Sequence, residues 1–147
     1  MADHPTPLEA FGTLARDYET ITVEKVARLV ADHCVIHESP SLPEIGHDWH
    51  GPQGFIDLMA AVQAAFSGFK FHMVEMAGTD RILAFRGRIT ADLPAGRFDM
   101  PIVEFWHFEN GKAVEIFPMW HDVKRVADLY HASYPNGRPQ DGTASAA

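Results

Sequence analysis

Cysteine is nearly absent from this 147-residue chain, and basic residues are scarce. Cys34 is the only cysteine, which excludes an internal disulfide and a cysteine-based structural zinc site. Lysine and arginine total 12 against 20 acidic residues, so the net charge is −8. Because the basic residues are also scattered, nucleic acids and anionic membranes are poor candidate partners. Small molecules and other proteins remain.

Long apolar runs are also missing. No segment approaches the roughly 18 apolar residues of a membrane helix, and the N-terminal MADHPTPLEAF has no cationic region followed by an apolar run. We therefore expect a protein that is neither embedded nor secreted and lies in the reducing cytoplasm. The length and the 46% hydrophobic content favour one globular domain. We predict that it spans residues 1–132, with a flexible, turn-rich tail over 133–147.

Helical patterns dominate the first half of the chain. Leu8, Phe11 and Leu14 recur at helical spacing, and a second short helix can start at Thr22. The clearest helix covers residues 52–68, with a proline at its first position and a wide apolar stripe. These patterns predict three N-terminal helices.

Extended patterns flank the third helix. A strand over residues 31–38 precedes it, and four extended runs follow from Phe69 onward. The Asn-Gly pair at 110–111 is a strong two-residue hairpin signal, so the last two strands should be antiparallel neighbours. A short helix over residues 122–130 closes the pattern. Helices followed by antiparallel strands indicate an α+β domain in which helices cover one face of a curved sheet and leave room for a cavity.

Two glutamates lie in apolar rows of the predicted strands. Side chains alternate across a strand, so Glu38 shares a face with Cys34 and Ile36. Glu104 interrupts a second row, which contains Phe98, Met100, Ile102, Trp106 and Phe108. A carboxylate in such a row is costly unless it is paired, protonated or facing a cavity. Either each glutamate reaches water at a strand end, or both line one cavity and divide the roles of ionised base and protonated acid.

Three motifs resemble the nuclear transport factor 2-like superfamily, which includes ketosteroid isomerases, SnoaL-like polyketide cyclases, limonene-type epoxide hydrolases and plain binding domains. The motifs are VADHCVIHESP after the second helix, HGPQGFIDLM at the start of the third, and ENGKAVEIFPMWHD at the end. The resemblance extends from about Leu8 to Tyr130. It implies a cone-shaped antiparallel sheet covered by three helices, a short C-terminal helix, and a homodimer.

The same resemblance suggests site residues. The general base of ketosteroid isomerases falls on Glu38, and the acid that donates to the developing oxyanion falls on Glu104 or, in another alignment, on Val103. We prefer Glu104 because it interrupts the apolar row. The oxyanion-hole tyrosine falls near Leu14, and the nearest tyrosine is Tyr18, one helical turn further on. This departure argues against steroid isomerase activity in particular.

The end of the last strand offers two more candidates. Asp122 matches an aspartate of many SnoaL-like proteins and is a candidate acid or base, although it is at least as well placed to cap the last helix. His121 beside it is a candidate partner for substrate. The Asp-Arg-Asp arrangement of epoxide hydrolases is not reproduced, since Arg88 occupies the place of a needed acid.

Nine histidines raise the question of a metal, but none of them follows an established metal-ligand spacing. We predict no metal and no cofactor, while histidines brought together by the fold stay an open alternative. The abundant aromatic residues and methionines predict a hydrophobic pocket for an apolar, ring-shaped small molecule. Its predicted walls include Leu14, Tyr18, Ile36, Trp49, Phe55, Met59, Met100, Trp106 and Trp120. The predicted function is a cofactor-free general acid/base enzyme of the isomerase or cyclase type acting on an apolar carbonyl compound, or alternatively a non-catalytic small-molecule-binding domain.

Overall fold

Four helices and six strands make up the fold, which is known from a computed structural model that describes residues 4–16 and 21–139. In chain order they are α1 (Pro7–Arg16), α2 (Val23–Ala27), β1 (Val30–His37), β2 (Asp48–His50), α3 (Gly51–Ala65), β3 (Lys70–Gly78), β4 (Ile82–Leu93), β5 (Gly96–Glu109), β6 (Lys112–Trp120) and α4 (Val123–Ser133). The predicted α+β class is confirmed. Within the described ranges, none of the helices is long and apolar enough to cross a membrane.

The strands form one curved, open sheet in the order β2-β1-β6-β5-β4-β3. Neighbouring strands are antiparallel except for β1 and β6, which are parallel. The β5–β6 turn places Asn110 at φ 50° and Gly111 at φ 79°. Both angles are positive, as the hairpin turn favoured by Asn-Gly requires, so the predicted hairpin is confirmed.

The loop predicted between β1 and α3 contains a strand of its own. Residues 48–50 form β2, which pairs with the end of β1 so that Asp48 lies opposite His37. Three residues are too few to give a readable alternation of apolar and polar side chains, and this strand exists because β1 offers it an edge. Strand β1 itself ends at His37, so Glu38 is the first residue beyond it.

Helices and sheet are joined by aromatic contacts at both ends of their interface. At one end, Phe66 after α3 packs its ring 5.9 Å from that of Phe98 on β5. At the other end, Phe11 of α1 lies 5.3 Å from Phe85 and 5.2 Å from Trp106. These aromatic contacts hold the helical layer against the sheet at both ends. The space between the helices and the sheet is not completely filled.

A polar cluster fastens the β1–β2 loop to the C-terminal part of the fold. The hydroxyl of Tyr130 donates to Oε2 of Glu44 at 2.6 Å, and Arg138 donates to both carboxylate oxygens of Glu44 at 2.8 and 2.9 Å. The Arg138 hydrogen bond and charge lower the pKa of Glu44 below its ordinary value. Arg138 belongs to the predicted flexible tail, and these contacts tie that part of it to the domain; residues 140–147 lie outside the described ranges.

Candidate active site

A cavity of about 620 Å³ lies between the helices and the inner face of the sheet. Its volume is within the range of pockets that bind small molecules. Helices α1 and α3 and the strands contribute to its walls. Among the residues that the structure describes, these walls are apolar except for Glu38, Gln63, Lys70 and Glu104. Any ligand that fills this cavity must therefore be largely apolar.

Glu38 enters the cavity from the end of β1 and is 7% exposed. Its Oε2 accepts a hydrogen bond from the indole Nε1 of Trp120 at 3.1 Å. Burial, which is the largest cause, and the nearby charge of Glu104 together raise the pKa of Glu38 to about 8, against the opposing effect of the Trp120 hydrogen bond. A carboxyl in this environment holds a proton at pH values where an ordinary glutamate is ionised.

Glu104 enters the cavity from the middle of β5, where it lies between Phe85 on β4 and Pro118 on β6. Its Oε1 accepts a hydrogen bond from the indole Nε1 of Trp106 at 2.9 Å. Burial raises the pKa of Glu104 to about 7 against the opposing effect of that bond. Glu104, and not its neighbour Val103, is among the residues that line the cavity.

The two carboxyls form an unequal pair. Glu104 carries the lower pKa, about 7, and its negative charge helps to raise that of Glu38 to about 8. Because the groups interact, these two values describe the titration of the pair. At pH values between about 7 and about 8, the two carboxyls together hold about one proton. A single cavity therefore contains both a base and an acid close to neutral pH. Each carboxyl also keeps one indole N–H as a fixed partner.

Most of the predicted pocket wall does line this cavity. The residues in question are Leu14, Ile36, Phe55, Met59, Trp106 and Trp120. Tyr18 lies outside the described residues.

The structure places two of the predicted wall residues away from this cavity. Trp49 is held in the β1–β2 loop, where its Nε1 donates to the Ile45 carbonyl at 3.1 Å and its ring stacks on His47 at 4.2 Å. Met100 is 4% exposed and belongs to the packed core beside Phe98, at the end of the sheet that the ring of Phe66 fills. Neither residue is among those that line the cavity.

His121 and Asp122 also lie apart from the cavity wall. Asp122 is the N-cap of α4, and its Oδ1 accepts from the Arg125 backbone N–H at 2.9 Å. The His121 side chain is exposed, and its backbone N–H donates to the Pro101 carbonyl at 3.1 Å. The chain leaves the sheet after Trp120 to begin α4, which carries both side chains away from the cavity. The predicted acid/base roles therefore rest on the two glutamates.

Sequence reasoning missed two polar residues of the cavity. Gln63 follows Phe55 and Met59 at intervals of four, so the helical stripe could have included it. Lys70 begins β3 and gives no sequence signal of its own, because the first residue of an edge strand has no alternating pattern before it. The two indole partners also differ in how readily the sequence shows them, because Trp106 lies two residues from Glu104 whereas Trp120 is 82 residues from Glu38.

The histidines do not assemble with other ligands around one point. Over the described part of the chain, no group of three or more His, Cys, Asp or Glu side chains is arranged to hold a metal ion. His37 contacts two carboxylates on the outer face of the sheet, and His47 stacks on Trp49.

Comparison with known proteins identifies the family. Residues 13–116 match the family model described as the SnoaL-like domain. No protein of curated function gives a significant match. Among solved structures, TerC crystallised with polyporic acid is 15% identical, with 85% of this chain and 98% of that chain covered and a TM-score of 0.70.

Two further solved structures have the same fold. An NTF2-like protein from Burkholderia thailandensis is 14% identical over 85% of this chain and 97% of its own, with a TM-score of 0.73. A SnoaL-like polyketide cyclase from Agrobacterium tumefaciens is 15% identical over 85% and 98%, with a TM-score of 0.64. The predicted nuclear transport factor 2-like fold is thereby confirmed. Because the family model spans most of the sequence, this chain belongs to the SnoaL-like domain family.

Proposed function

We propose that this protein is a general acid/base enzyme that moves a proton next to the carbonyl group of an apolar small molecule, in an isomerisation or a cyclisation. The observation that carries the proposal is the pair of glutamates in one apolar cavity, with pKa values raised to about 8 at Glu38 and about 7 at Glu104. Such a pair supplies a base and an acid at the same pH. The family and its polyketide-cyclase members support the same class of reaction.

The order of the two pKa values suggests the roles. Glu104 ionises first and serves as the base: it takes the proton from the carbon beside the carbonyl, and the electrons of that C–H bond form the enolate. Glu38 keeps its proton longer and donates it, or a strong hydrogen bond, to the enolate oxygen. In an isomerisation, Glu104 returns its proton to another carbon of a conjugated enolate while the carbonyl re-forms and Glu38 recovers its proton. In a cyclisation, the enolate carbon attacks a second carbonyl and closes a ring, the proton on Glu104 passes to the alkoxide oxygen that results, and Glu38 recovers its own. This order reverses the one implied by the isomerase resemblance, in which Glu38 is the base.

The cavity walls limit the substrate class. Rings of Phe55, Phe69, Trp106 and Trp120 line a volume of about 620 Å³, which suits a flat, ring-bearing ketone. The apolar surroundings also strengthen the interaction of the enolate oxygen with its donor, because little water competes for it.

The test is proton NMR in heavy water, following deuterium uptake beside the carbonyl in a panel of hydrophobic ketones. We expect a bell-shaped dependence of the enzymatic rate on pH, with its maximum between about 7 and about 8. Below this range both carboxyls are protonated and no base is present, and above it both are ionised and no acid is present. A rate that rises steadily with hydroxide concentration, or that never exceeds buffer, would contradict the proposal.

Small-molecule binding without catalysis is the alternative that the same cavity supports. It predicts ligand-dependent changes in the fluorescence of Trp106 and Trp120, which line the cavity, together with no exchange for any ketone that binds. The homodimer implied by the resemblance stays a prediction, and sedimentation at the 16.4 kDa mass of one chain would contradict it.

A further inference from the structure

His37 lies directly before Glu38, and its side chain occupies the opposite, outer face of the sheet. Its Nδ1 is 3.1 Å from Oδ1 of Asp48 on β2, and its Nε2 is 3.0 Å from Oε2 of Glu115 on β6. One ring therefore contacts carboxylates from the strands on both sides of β1. The side chain of His37 is 32% exposed, so these contacts are partly shielded from water.

Both contacts can be hydrogen bonds at the same time only when each ring nitrogen carries a proton. A carboxylate only accepts hydrogen bonds, and a neutral imidazole has a single N–H. Only the imidazolium form donates to Asp48 and Glu115 at once. The ring is also stacked on Phe117 at 4.8 Å and 20°, an arrangement that attracts a cation. A second histidine, His107 on β5, contacts the ring of Phe117 edge-on at 6.0 Å and lies opposite Glu115 in the β5–β6 pairing.

The position of His37 along β1 gives these contacts a mechanical consequence. His37 is the last residue of the strand, paired with Asp48, and the chain turns away after Glu38 through the bond from Leu42 N–H to the Ser39 carbonyl. The contacts of His37 are thus the last cross-strand links before the carboxyl that enters the cavity. Movement of this strand end would displace Glu38 from the indole of Trp120, 3.1 Å away.

We propose that His37 is a positioning residue whose imidazolium ties the end of β1 to β2 and β6 and thereby holds Glu38 in place against Trp120. The catalytic part of this inference rests on the proposed function, whereas the structural part does not. Loss of the charge at position 37 frees at least one of the two links, and the Glu38 carboxyl then samples positions from which it reaches the substrate less often.

The experiment compares His37→Gln, His37→Arg and His107→Gln with the wild type at about pH 7, where Glu104 is partly ionised and exchange is measurable. In His37→Gln, which is uncharged and donates from a single nitrogen, we expect kcat for deuterium exchange to fall about threefold to tenfold while KM changes less than about twofold. His37→Arg keeps a charged, two-sided donor and should retain most of kcat. His107→Gln leaves both carboxylate contacts intact and should match the wild type.

The indole N–H resonance of Trp120 provides a readout that does not depend on activity. The chain has three tryptophans, so its indole signals are few and can be assigned. The Trp120 signal should shift in His37→Gln and stay in place in His107→Gln. An unchanged Trp120 signal in His37→Gln, or equal losses of kcat in the glutamine and arginine variants, would overturn the inference. If the wild type shows no Glu38-dependent exchange, the proposed function fails, and the Trp120 signal still decides the role of His37.

Discussion

Glu38→Gln and Glu104→Gln are each expected to lower the rate of ketone deuterium exchange about 10²- to 10⁴-fold near pH 7.5, which is the usual size of a general acid or base contribution. Glutamine has nearly the same shape as glutamate, and its carbonyl oxygen still accepts from Trp120 or Trp106. The substitution therefore removes proton transfer with little change in packing. The matched control is Glu109→Gln, an exposed glutamate at the end of β5 that should keep the wild-type rate.

The double variant tests whether the two carboxyls act as one unit. If they do, Glu38→Gln combined with Glu104→Gln loses little more than either single change, because the first already removes one partner of the pair. Ligand binding, followed by tryptophan fluorescence, should survive in all three variants. Binding that persists while neither the wild type nor any variant exchanges deuterium faster than buffer would favour the non-catalytic alternative.

The residual activities also separate the two roles. In Glu38→Gln the base is still present, so we expect slow exchange that rises as Glu104 ionises, through a pKa near 7, and then levels off. In Glu104→Gln the base is missing, and the loss of its charge removes one of the causes that raise the pKa of Glu38. A levelling residual rate in Glu104→Gln, with none in Glu38→Gln, would return the base role to Glu38.

Local patterns were sufficient for part of the site. Glu104 could be found because its contrast with Met100, Ile102 and Trp106 is contained in one strand, and alternation along a strand is fixed by backbone geometry. The Asn-Gly hairpin was equally local. The position of Glu38 could also be inferred from its own strand, although its contact with Trp120 could not, because 82 residues separate the two.

The predicted site residues that lie away from the cavity are ones whose surroundings depend on tertiary packing. Met100 has the same inward orientation as Glu104, but whether an inward residue meets a cavity or a filled core depends on the side chains that other elements pack against it. Trp49 lies in a loop whose path is set by the edge of β1. Asp122 was predicted either as an acid or base or as a helix cap, and the hydrogen bond that it accepts from the Arg125 N–H is that of a helix cap.

Glu38→Gln is further expected to make the folded protein more stable than the wild type in alkaline solution. The pKa of Glu38 is raised from 4.5 to about 8 in the folded state, so folding favours the protonated carboxyl. That contribution is fully present below the unfolded pKa of 4.5 and is lost as the pH rises through about 8. At about pH 9 the buried carboxylate then lowers the free energy of unfolding by on the order of 2–4 kcal/mol, a penalty that glutamine does not carry.

Thermal unfolding at about pH 5 and about pH 9 measures this difference. For a chain of this size, we expect the variant to melt roughly 5–15 °C above the wild type at the higher pH. At the lower pH, where both side chains are neutral, its free energy of unfolding should lie within about 1 kcal/mol of the wild-type value. Glu109→Gln should follow the wild type at both values. Parallel curves for Glu38→Gln and wild type would mean that the Glu38 carboxyl titrates normally and that the cavity has no raised-pKa acid. Greater stability combined with lost exchange would identify Glu38 as a residue that the fold keeps in an unfavourable environment because the proton transfer needs it there.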